Sequence, residues 1–458
     1  MTPIRTARLL LGLAASLACA GTASAQILGG VTSGLPGLPS VGGLPDIPRM
    51  ERSLPSRPAA ARTVRDATNR LDDLAGVPLA DVRRLTAERL LRDHADLVEP
   101  DDQGRPVVRG EVLAVGVDAA VLTRLRQAGF RVRSQDRLDG LGIEAVTLTI
   151  PRGLSATEAV QRLRALDPAG QYDFNHLYQE SGAVPRLATA AGAAATADGR
   201  GLRIGVVDGS VAPEAPALKR VKLVQQSFAP GGARATAHAT AVASLIAGAE
   251  GPFHGAAPGA ALYVADVYGP TAAGGSAEAV ARGLAWLAQA KVPVINISLV
   301  GPPNILLKAA VDALVARGHL VVAAVGNDGP AAPPLYPASW PGVVAVTGVD
   351  ARRNVLPEAG RGSHVDFAAP GSDMAAASPG GGFVGVRGTS FAAPIAAGRL
   401  ALLLAAPDRA GAARAIAALG ETAIDLGPAG PDPIYGRGLV GADVRIDPAP
   451  LLARARPR

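Results

Sequence analysis

The sequence contains very little cysteine and few aromatic residues. Of its 458 residues only Cys19 is a cysteine, and Phe, Trp and Tyr together make up 3 %, although 48 % of the chain is hydrophobic. A lone cysteine excludes an intramolecular disulfide and a cysteine-based metal cluster. The length excludes a peptide hormone and allows a large domain with a smaller one. Stability must therefore come from the packing of Ala, Val and Leu.

Lysine is also scarce, at 4 of the 45 basic residues, and no run of five or more basic residues occurs. The net charge of +6 therefore indicates ordinary, arginine-biased surface charge, and no nucleic-acid partner is expected. Long apolar runs are absent too. The run from Leu9 to Ala20 is shorter than the roughly 20 residues that a membrane span needs, so no stable membrane anchor is expected.

Residues 1–25 have the pattern of a signal peptide. Two arginines precede the apolar run, and Ala-Ser-Ala at 23–25 has the spacing of small residues before a signal-peptidase cut. We predict export to the periplasm or the extracellular space. A lipoprotein anchored through Cys19 is the disfavoured alternative, because Ser16 stands where a bulky aliphatic residue is expected.

Composition divides the rest of the chain into four segments. Residues 26–63 are rich in Gly, Pro and Ser and are predicted to form a linker. Residues 64–183 are predicted to form a small, highly charged domain, with 16 arginines and 19 acidic residues between 64 and 180. A stretch of small residues, 184–199, connects it to a large domain predicted over 200–448.

The small domain shows a βαββαβ pattern over its core, residues 107–179. This order is typical of a ferredoxin-like α+β sandwich, a fold that alone says little about function. One or two amphipathic helices are predicted before it, between Thr63 and Val98. Ser155 and Glu158 have the spacing of a capping box at the start of the second helix.

In the large domain, apolar strands alternate with alanine-rich helices. Several strands are unbroken apolar runs, such as those ending at Asp208, Ser298 and Val325. Such runs indicate an α/β fold whose parallel sheet is covered by helices on both faces. Ligands of these sheets bind at the carboxyl ends of the strands.

Four polar residues in the large domain are candidates for chemistry. Asp208 ends a strand, and His238 opens the helical run HATAVASLIAG, beside the positive end of the helix dipole. Ser390 lies at a loop-to-helix junction in GTSFAAPIAAG, where we predict Pro394 in the first helical turn. Asn327 follows a buried strand and could donate to an oxyanion. Taken singly, each residue is equally explained as a turn, packing or capping residue.

Together these residues and their surroundings resemble the subtilisin-like serine proteases, peptidase family S8. The resemblance runs from Leu202 to about Pro448 and is carried by HATAVA, INIS, AAVGN, YPASWPGVVAVTGVD, AAPG, GTSFAAP and the terminal IDLGPAGPDPIYGRGLVGA. The chain order Asp, His, Ser also matches the family. The resemblance implies a three-layer subtilisin-like fold and a serine endopeptidase that acts on polypeptides without a cofactor.

The resemblance also implies roles for individual residues. Asp208 would orient His238, which would take the proton of the nucleophile Ser390. Asn327 and the backbone N–H of Ser390 would stabilise the oxyanion. The residues implied to bind substrate are Ser298, Leu299, Val300, Gly301 and Leu335.

The ferredoxin-like domain, which ends YDFNHLYQ, is similar to the inhibitory and chaperoning propeptide of the family. The chain is then an autoprocessed zymogen, with its own propeptide as an intramolecular inhibitor and a cut expected between Gln179 and Gly199. A monomer is expected. No essential metal is expected either, because the segment GAEGPFHGAAPGA is short and no EF-hand-type acidic spacing occurs.

Three motifs depart from the family pattern. The acid is followed by Gly209 and Ser210, where Ser or Thr and then Gly are usual, and Ala239 and Val300 replace glycines. These departures keep open the alternative of a catalytically inactive, secreted binding or assembly protein with the same fold. An α/β-hydrolase is disfavoured because Ser390 lacks a GxSxG elbow. With Leu335, Val300 is expected to narrow the S1 pocket and to favour small or medium apolar P1 residues.

Overall fold

The structure, a computed structural model, describes residues 79–182 and 198–448. The predicted signal peptide (1–25), the predicted linker (26–63) and nearly all of the connecting segment (184–199) lie outside the described residues. We refer to 79–182 as the N-terminal region and to 198–448 as the C-terminal region. Within these ranges, no helix has both the length and the apolar character that crossing a bilayer requires.

The N-terminal region combines three helices with an antiparallel sheet. In chain order the elements are α1 (Leu79–Asp93), β1 (Val98–Pro100), β2 (Pro106–Val115), α2 (Ala119–Gln127), β3 (Arg131–Leu138), β4 (Ile143–Thr149), α3 (Ala156–Leu166) and β5 (Gln171–His176). Strand β2 lies in the middle: β5 pairs along one edge, and β4 and the short β1 pair along the other, since Val107 is opposite both Glu99 of β1 and His176 of β5. The capping box is present: Ser155 accepts the N–H of Glu158, and the Glu158 carboxylate accepts the N–H of Ser155.

The start of this region differs from the prediction. The helix ends at Asp93 instead of continuing to Val98, and the short strand β1 follows. A tight turn after β1 explains the difference. The buried carboxylate of Asp101 accepts the backbone N–H groups of Gln103 and Arg105, both at 2.8 Å, so the chain reverses and pairs β1 with β2. Hydrophobic periodicity alone does not reveal a turn that one buried carboxylate holds together.

The two faces of the N-terminal sheet pack against different partners. On β2, Val112 and Ala114 belong to a core shared with α2 and α3. The intervening Leu113 points to the opposite face and joins a core of the C-terminal region. This follows from the alternation of side chains along a strand. The sheet is therefore enclosed between its own helices and those of the C-terminal region.

The C-terminal region is built on a seven-stranded parallel sheet. Its strands are β7 (Arg203–Asp208), β8 (Leu223–Ser227), β11 (Ala261–Asp266), β12 (Val294–Ile297), β14 (Leu320–Ala324), β15 (Val343–Val349) and β16 (Val365–Pro370). Across the sheet they follow the order β16-β15-β14-β12-β7-β11-β8. Short strands outside this sheet are β6 (Gln179–Glu180), β9 (Ala249–Glu250), β10 (Phe253–His254), β13 (Leu299–Val300), β17 (Met374–Ala377) and β18 (Phe383–Val386).

Helices cover both faces of the parallel sheet. They are α4 (Ala237–Ala247), α5 (Ala277–Gln289), α6 (Ile305–Ala316), α7 (Thr389–Ala401) and α8 (Arg409–Glu421). Helices α4 and α7 share one buried core with Ile204 and Val206 of β7, while α5 and α6 share the other with Val207. Both faces of β7 are thus apolar, which explains its unbroken hydrophobic run. Strands β8 and β16, the hairpin β17–β18 and helix α8 are present but were not predicted.

Polar contacts join the N-terminal region to the first turns of α5 and α6. The Asp173 carboxylate accepts the N–H of Ile305 at 2.8 Å, and the Asn175 side chain accepts the N–H of Glu278 at 3.2 Å. These N–H groups have no acceptor within their own helices, and a helix N-terminus favours a negative charge. Strand β5 is thereby held where the following residues enter the carboxyl edge of the parallel sheet.

Candidate active site

Asp208 and His238 meet at the carboxyl end of β7. Both side chains are buried, and His238 Nδ1 lies 2.8 Å from Asp208 Oδ2. His238 is in the first turn of α4, whose N-cap is Thr236. A Cβ on Gly209 would lie 2.6 Å from Thr236 Cγ2, so a glycine here leaves room for the cap. The glycine of the unusual Asp-Gly-Ser order therefore fits beside Thr236, the N-cap of the helix that carries His238.

Ser390 is the second residue of α7, after the N-cap Gly388 with φ +134°. Its Oγ donates to the carbonyl oxygen of Ser298 at 3.0 Å, and its own carbonyl accepts the Ser298 hydroxyl at 2.9 Å. His238 Nε2 has no hydrogen-bond partner. Ser390 and His238 are thus not hydrogen-bonded to each other.

Pro394 lies in the second turn of α7, which corrects the prediction of the first turn. Proline has no N–H to donate to the carbonyl four residues earlier, which is that of Ser390. The Ser298 hydroxyl supplies the missing donor. Pro394 therefore explains why the predicted substrate-binding Ser298 is also tied to the backbone of Ser390.

Asn327 and the N–H of Ser390 converge on one carbonyl oxygen, that of Ser181. Asn327 Nδ2 donates to it at 2.8 Å and Ser390 N at 2.9 Å. The orientation of the Asn327 amide is fixed because its Oδ1 accepts the N–H of Thr389 at 3.0 Å. Two donors fixed at this distance from one oxygen form the geometry of an oxyanion hole.

The chain that leads to Ser181 lies in the site as an added strand. Strand β6 pairs antiparallel with β13, with Glu180 opposite Leu299 and Gln179 opposite Val300. Ser181 N–H donates to the Ser298 carbonyl at 3.2 Å. Three of the predicted substrate-binding residues thus pair with the chain's own N-terminal region.

Gly182 follows immediately and lies against Ser390, since a Cβ built on it would be 3.2 Å from Ser390 Cβ. The peptide bond between Ser181 and Gly182 therefore lies beside Ser390. Both residues belong to the last described part of the N-terminal region.

Tyr178 fills the deepest part of this cleft. Its side chain is fully buried, its hydroxyl donates to the carbonyl of Pro302 at 2.6 Å, and its N–H donates to the carbonyl of Gly275 at 2.8 Å. A Cβ on Gly301 would lie 2.5 Å from the Tyr178 ring. The predicted substrate-binding Gly301 thus packs against the ring of Tyr178.

Leu335 and Val300 lie on neighbouring backbone segments. Gly301 and Tyr336 exchange two backbone hydrogen bonds of 3.0 Å, which brings the residues before them together. The Leu335 side chain reaches Gly326, where an added Cβ would collide with Leu335 Cδ1. Leu335 therefore crosses between the β13 segment and the loop that carries Asn327.

The comparisons with known proteins agree with this geometry. The model of the Subtilase family, Peptidase_S8, matches residues 199–438, more than half of the chain. The chain belongs to the subtilase family. It is 32 % identical to Subtilisin DY of Bacillus licheniformis over 254 residues, 54 % of this chain and 90 % of the relative. It is 35 % identical to Subtilisin Savinase of Lederbergia lenta over 209 residues, 45 % of this chain and 76 % of the relative.

A solved structure agrees with the fold. Fervidolysin from Fervidobacterium pennivorans superimposes with a TM-score of 0.61 at 20 % identity, and the match covers 74 % of this chain and 61 % of that one. The predicted three-layer subtilisin-like fold is therefore confirmed, and the chain is a serine endopeptidase by family. The hypothesis of an inactive member is not favoured.

The subtilase site contains three titratable groups close together. Besides Asp208, His238 Nδ1 has Glu180 Oε1 at 4.0 Å, and the Glu180 side chain is 34 % exposed. Burial alone lowers the pKa of His238, but the negative charges of Asp208 and Glu180 and the hydrogen bond to Asp208 outweigh it and raise the pKa to about 9. Burial raises the pKa of Glu180. The negative charge of Glu180, which the docked N-terminal region adds, therefore favours the imidazolium form of His238.

The same three groups are the set that could bind a metal ion within 79–182 and 198–448. Their potential ligand atoms lie within 4.8 Å of one another. One of these atoms, His238 Nδ1, is already hydrogen-bonded to Asp208. The arrangement is therefore that of an imidazole held by a carboxylate.

Asp266 was not singled out by sequence analysis. It is fully buried at the end of β11, and its carboxylate accepts the Ser210 hydroxyl at 2.8 Å and the N–H of Arg234 at 3.1 Å. These bonds join the loop after Asp208 to the loop before His238. Its position at the end of an apolar strand, which it shares with Asp208, was the signal that the sequence offered.

Ala239 is fully buried in the core, so its extra methyl group is accommodated.

Proposed function

We propose that Ser390 is the nucleophile of this subtilase, His238 its general base and Asp208 the carboxylate that orients the base. Asn327 and the N–H of Ser390 would form the oxyanion hole. The observation that carries the proposal is the Ser181 carbonyl oxygen, which accepts hydrogen bonds from both of these donors. Substrates are polypeptides, as they are for serine endopeptidases of this family.

The first substrate that we propose is the chain itself. Ser390 Oγ leaves the Ser298 carbonyl, transfers its proton to His238 Nε2 and attacks the carbonyl carbon of Ser181. The tetrahedral intermediate collapses as His238 returns the proton to the amine of Gly182. An ester between Ser181 and Ser390 remains, and water hydrolyses it by the same proton transfers. Cleavage between Ser181 and Gly182 falls within the range expected from the sequence.

In this proposal the N-terminal region acts as a propeptide. Support comes from its position: the residues up to Ser181 occupy the substrate cleft, and the polar contacts at α5 and α6 hold them there. After the cut, the new carboxyl end would still occupy the cleft as an inhibitor. We also propose export of the protein, which rests on residues 1–25 of the sequence.

Autoprocessing of the purified full-length chain tests the proposal. We expect the native chain to split into two pieces and mass spectrometry to locate the new ends at Ser181 and Gly182. Ser390→Ala should stay intact, while the matched control Ser378→Ala, in the turn between β17 and β18, should split normally. Processing of purified Ser390→Ala at the native rate would contradict the assignment of the nucleophile.

A fluorophosphonate probe separates the active enzyme from the inactive alternative. It reacts with an activated serine whatever peptide sequence the enzyme prefers. We expect Ser390 of the processed protein to be labelled and the Ser390→Ala chain to remain unlabelled. Absence of labelling after removal of the N-terminal region would favour a binding or assembly protein.

A further inference from the structure

Leu335 lies next to the loop whose Asn327 donates to the Ser181 carbonyl. In the proposed function Ser181 is the P1 residue, with its carbonyl carbon next to Ser390. The Leu335 side chain spans from the β13 segment to Gly326, the residue before Asn327. Val300 is 2 % exposed on the same side. If the P1 side chain enters between these two segments, two branched side chains flank its slot.

The space that Leu335 itself lines is small. The cavity that Leu335 lines together with Val325 and Gly360 has a volume of about 10 Å³. This is close to the minimum that holds a single water molecule. A large P1 side chain would have to displace Leu335, and an overpacked site resists such insertion.

The Ser181 side chain does not point into an apolar pocket but takes part in a polar network. Its Oγ is hydrogen-bonded to Thr389 Oγ1 at 3.1 Å and accepts from Asn327 Nδ2 at 3.0 Å, and Ser181 is only 3 % exposed. Thr389 Oγ1 also accepts the N–H of Gly326 at 3.2 Å. The threonine hydroxyl is therefore fixed between the P1 hydroxyl and the loop that closes the slot.

We propose that this subtilase is selective for small P1 residues and prefers serine, with Leu335 excluding large side chains and Thr389 recognising the P1 hydroxyl. The proposal rests on the proposed function, because it takes Ser181–Gly182 as the scissile bond. The proposal is narrower than the P1 preference expected from the sequence, which was for small or medium apolar residues. It excludes leucine and valine at P1 and favours a P1 side chain with a hydroxyl. A site that hydrogen-bonds a substrate hydroxyl discriminates against analogues that lack it.

Peptides with the chain's own cleavage sequence test this selectivity on the processed enzyme. We would compare Leu-Tyr-Gln-Glu-X-Gly-Ala-Val with X as Ser, Ala, Leu or Phe. We expect kcat/KM for Ser to exceed that for Ala about three- to tenfold, the effect of one hydrogen bond. Leu and Phe should be at least about 100-fold slower than Ser. Cleavage of the Leu or Phe peptide within threefold of the Ser peptide would overturn the proposal.

Two variants assign the selectivity to the named residues. Leu335→Ala should raise the Phe-to-Ser ratio of kcat/KM at least about tenfold, while the size-matched Leu335→Met should keep the native ratio. Thr389→Val should lower the Ser-to-Ala ratio about threefold, because only the hydrogen bond from Asn327 to the P1 hydroxyl remains. Ratios measured within one variant cancel any general loss of activity. Unchanged ratios in both Leu335→Ala and Thr389→Val would overturn the assignment.

The outcome can be separated from failure of the proposed function. Without fluorophosphonate labelling of Ser390, the proposed function itself fails. With labelling, the P1 residues in a digest of denatured casein, identified by mass spectrometry, provide a second measurement. Cuts mainly after Ser, Ala and Gly support the proposal. Cuts mainly after large residues, or labelling without any cleavage after serine, overturn the selectivity and leave the nucleophile assigned.

Discussion

The N-terminal and C-terminal regions each place a carboxylate against a hydrogen-bonding group of another element, yet the consequences differ. Asp173 of the N-terminal region faces a backbone N–H at the start of α6. Asp208 of the C-terminal region faces an imidazole, which can gain or lose a proton. The first contact fixes a position, whereas the second changes the proton affinity of a base. We infer that the N-terminal region supplies mainly position, with Glu180 beside His238 as its exception, and that the C-terminal region supplies the chemistry.

This division predicts the largest effect for Asp208→Asn. The amide keeps the shape but no longer stabilises the imidazolium of His238, so autoprocessing should slow about 10⁴-fold. The rate is measured by following the full-length chain on gels. The control Asp312→Asn removes an exposed carboxylate of α6 that pairs with Lys308 and should leave the rate unchanged. A loss of less than tenfold in Asp208→Asn would contradict the role given to this carboxylate.

A smaller effect in the C-terminal region is expected for Asn327→Ala. Removing one of the two donors to the Ser181 carbonyl should slow autoprocessing about 10²- to 10³-fold. The N–H of Ser390 remains as the second donor, which is why activity should persist. The control is Asn354→Ala, an exposed asparagine that bonds to Asp350. Equal rates for Asn327→Ala and Asn354→Ala would show that Asn327 does not stabilise the oxyanion.

The same comparison explains what could be predicted from the sequence. The fold of the C-terminal region is encoded in unbroken apolar strands and alanine-rich helices. The candidates Asp208, His238, Ser390 and Asn327 lie in local motifs, and the structure brings all four to one edge of the sheet. Asp266 was missed because a buried carboxylate that joins two loops has no local motif of its own.

Which backbone carbonyl lies between Asn327 Nδ2 and the N–H of Ser390 could not be predicted in the same way. The group between the two oxyanion donors is a backbone carbonyl, and every residue has one. Only the docking of the sheet of the N-terminal region fixes the register that places Ser181 there. The same register brings Glu180 next to His238, a contact between residues 58 positions apart.

The contact between Glu180 and His238 is expected to make autoprocessing depend on pH. His238 can accept the proton of Ser390 only when it is neutral, and its pKa in the docked state is raised to about 9. Autoprocessing should therefore speed up as the pH rises towards 9. Glu180→Gln removes one of the two negative charges, so the rise should move to lower pH. At pH 7 the variant should process on the order of threefold to tenfold faster.

Rates from pH 5 to 10 provide the measurement. Glu144→Gln, on an exposed position of β4, serves as the control and should keep the native profile. Because Glu180 is cut away with the N-terminal region, the profile of the processed enzyme on peptides should be the same in both variants. A Glu180→Gln profile that coincides with the native one would show that this glutamate does not hold the proton on His238.

The smallest effect is expected for a position of the N-terminal region far from the cleft. Ser155→Ala removes the N-cap of α3 and should cost about 1 kcal/mol of local stability. In the uncleaved Ser390→Ala chain, amides of α3 should then exchange hydrogen about fivefold faster, while Ser155→Asp, which retains a cap, should not change them. In the otherwise native chain, Ser155→Ala should process within twofold of the native rate. A tenfold slower cut would show that the internal stability of the N-terminal region controls the chemistry, and the division between position and chemistry would not hold.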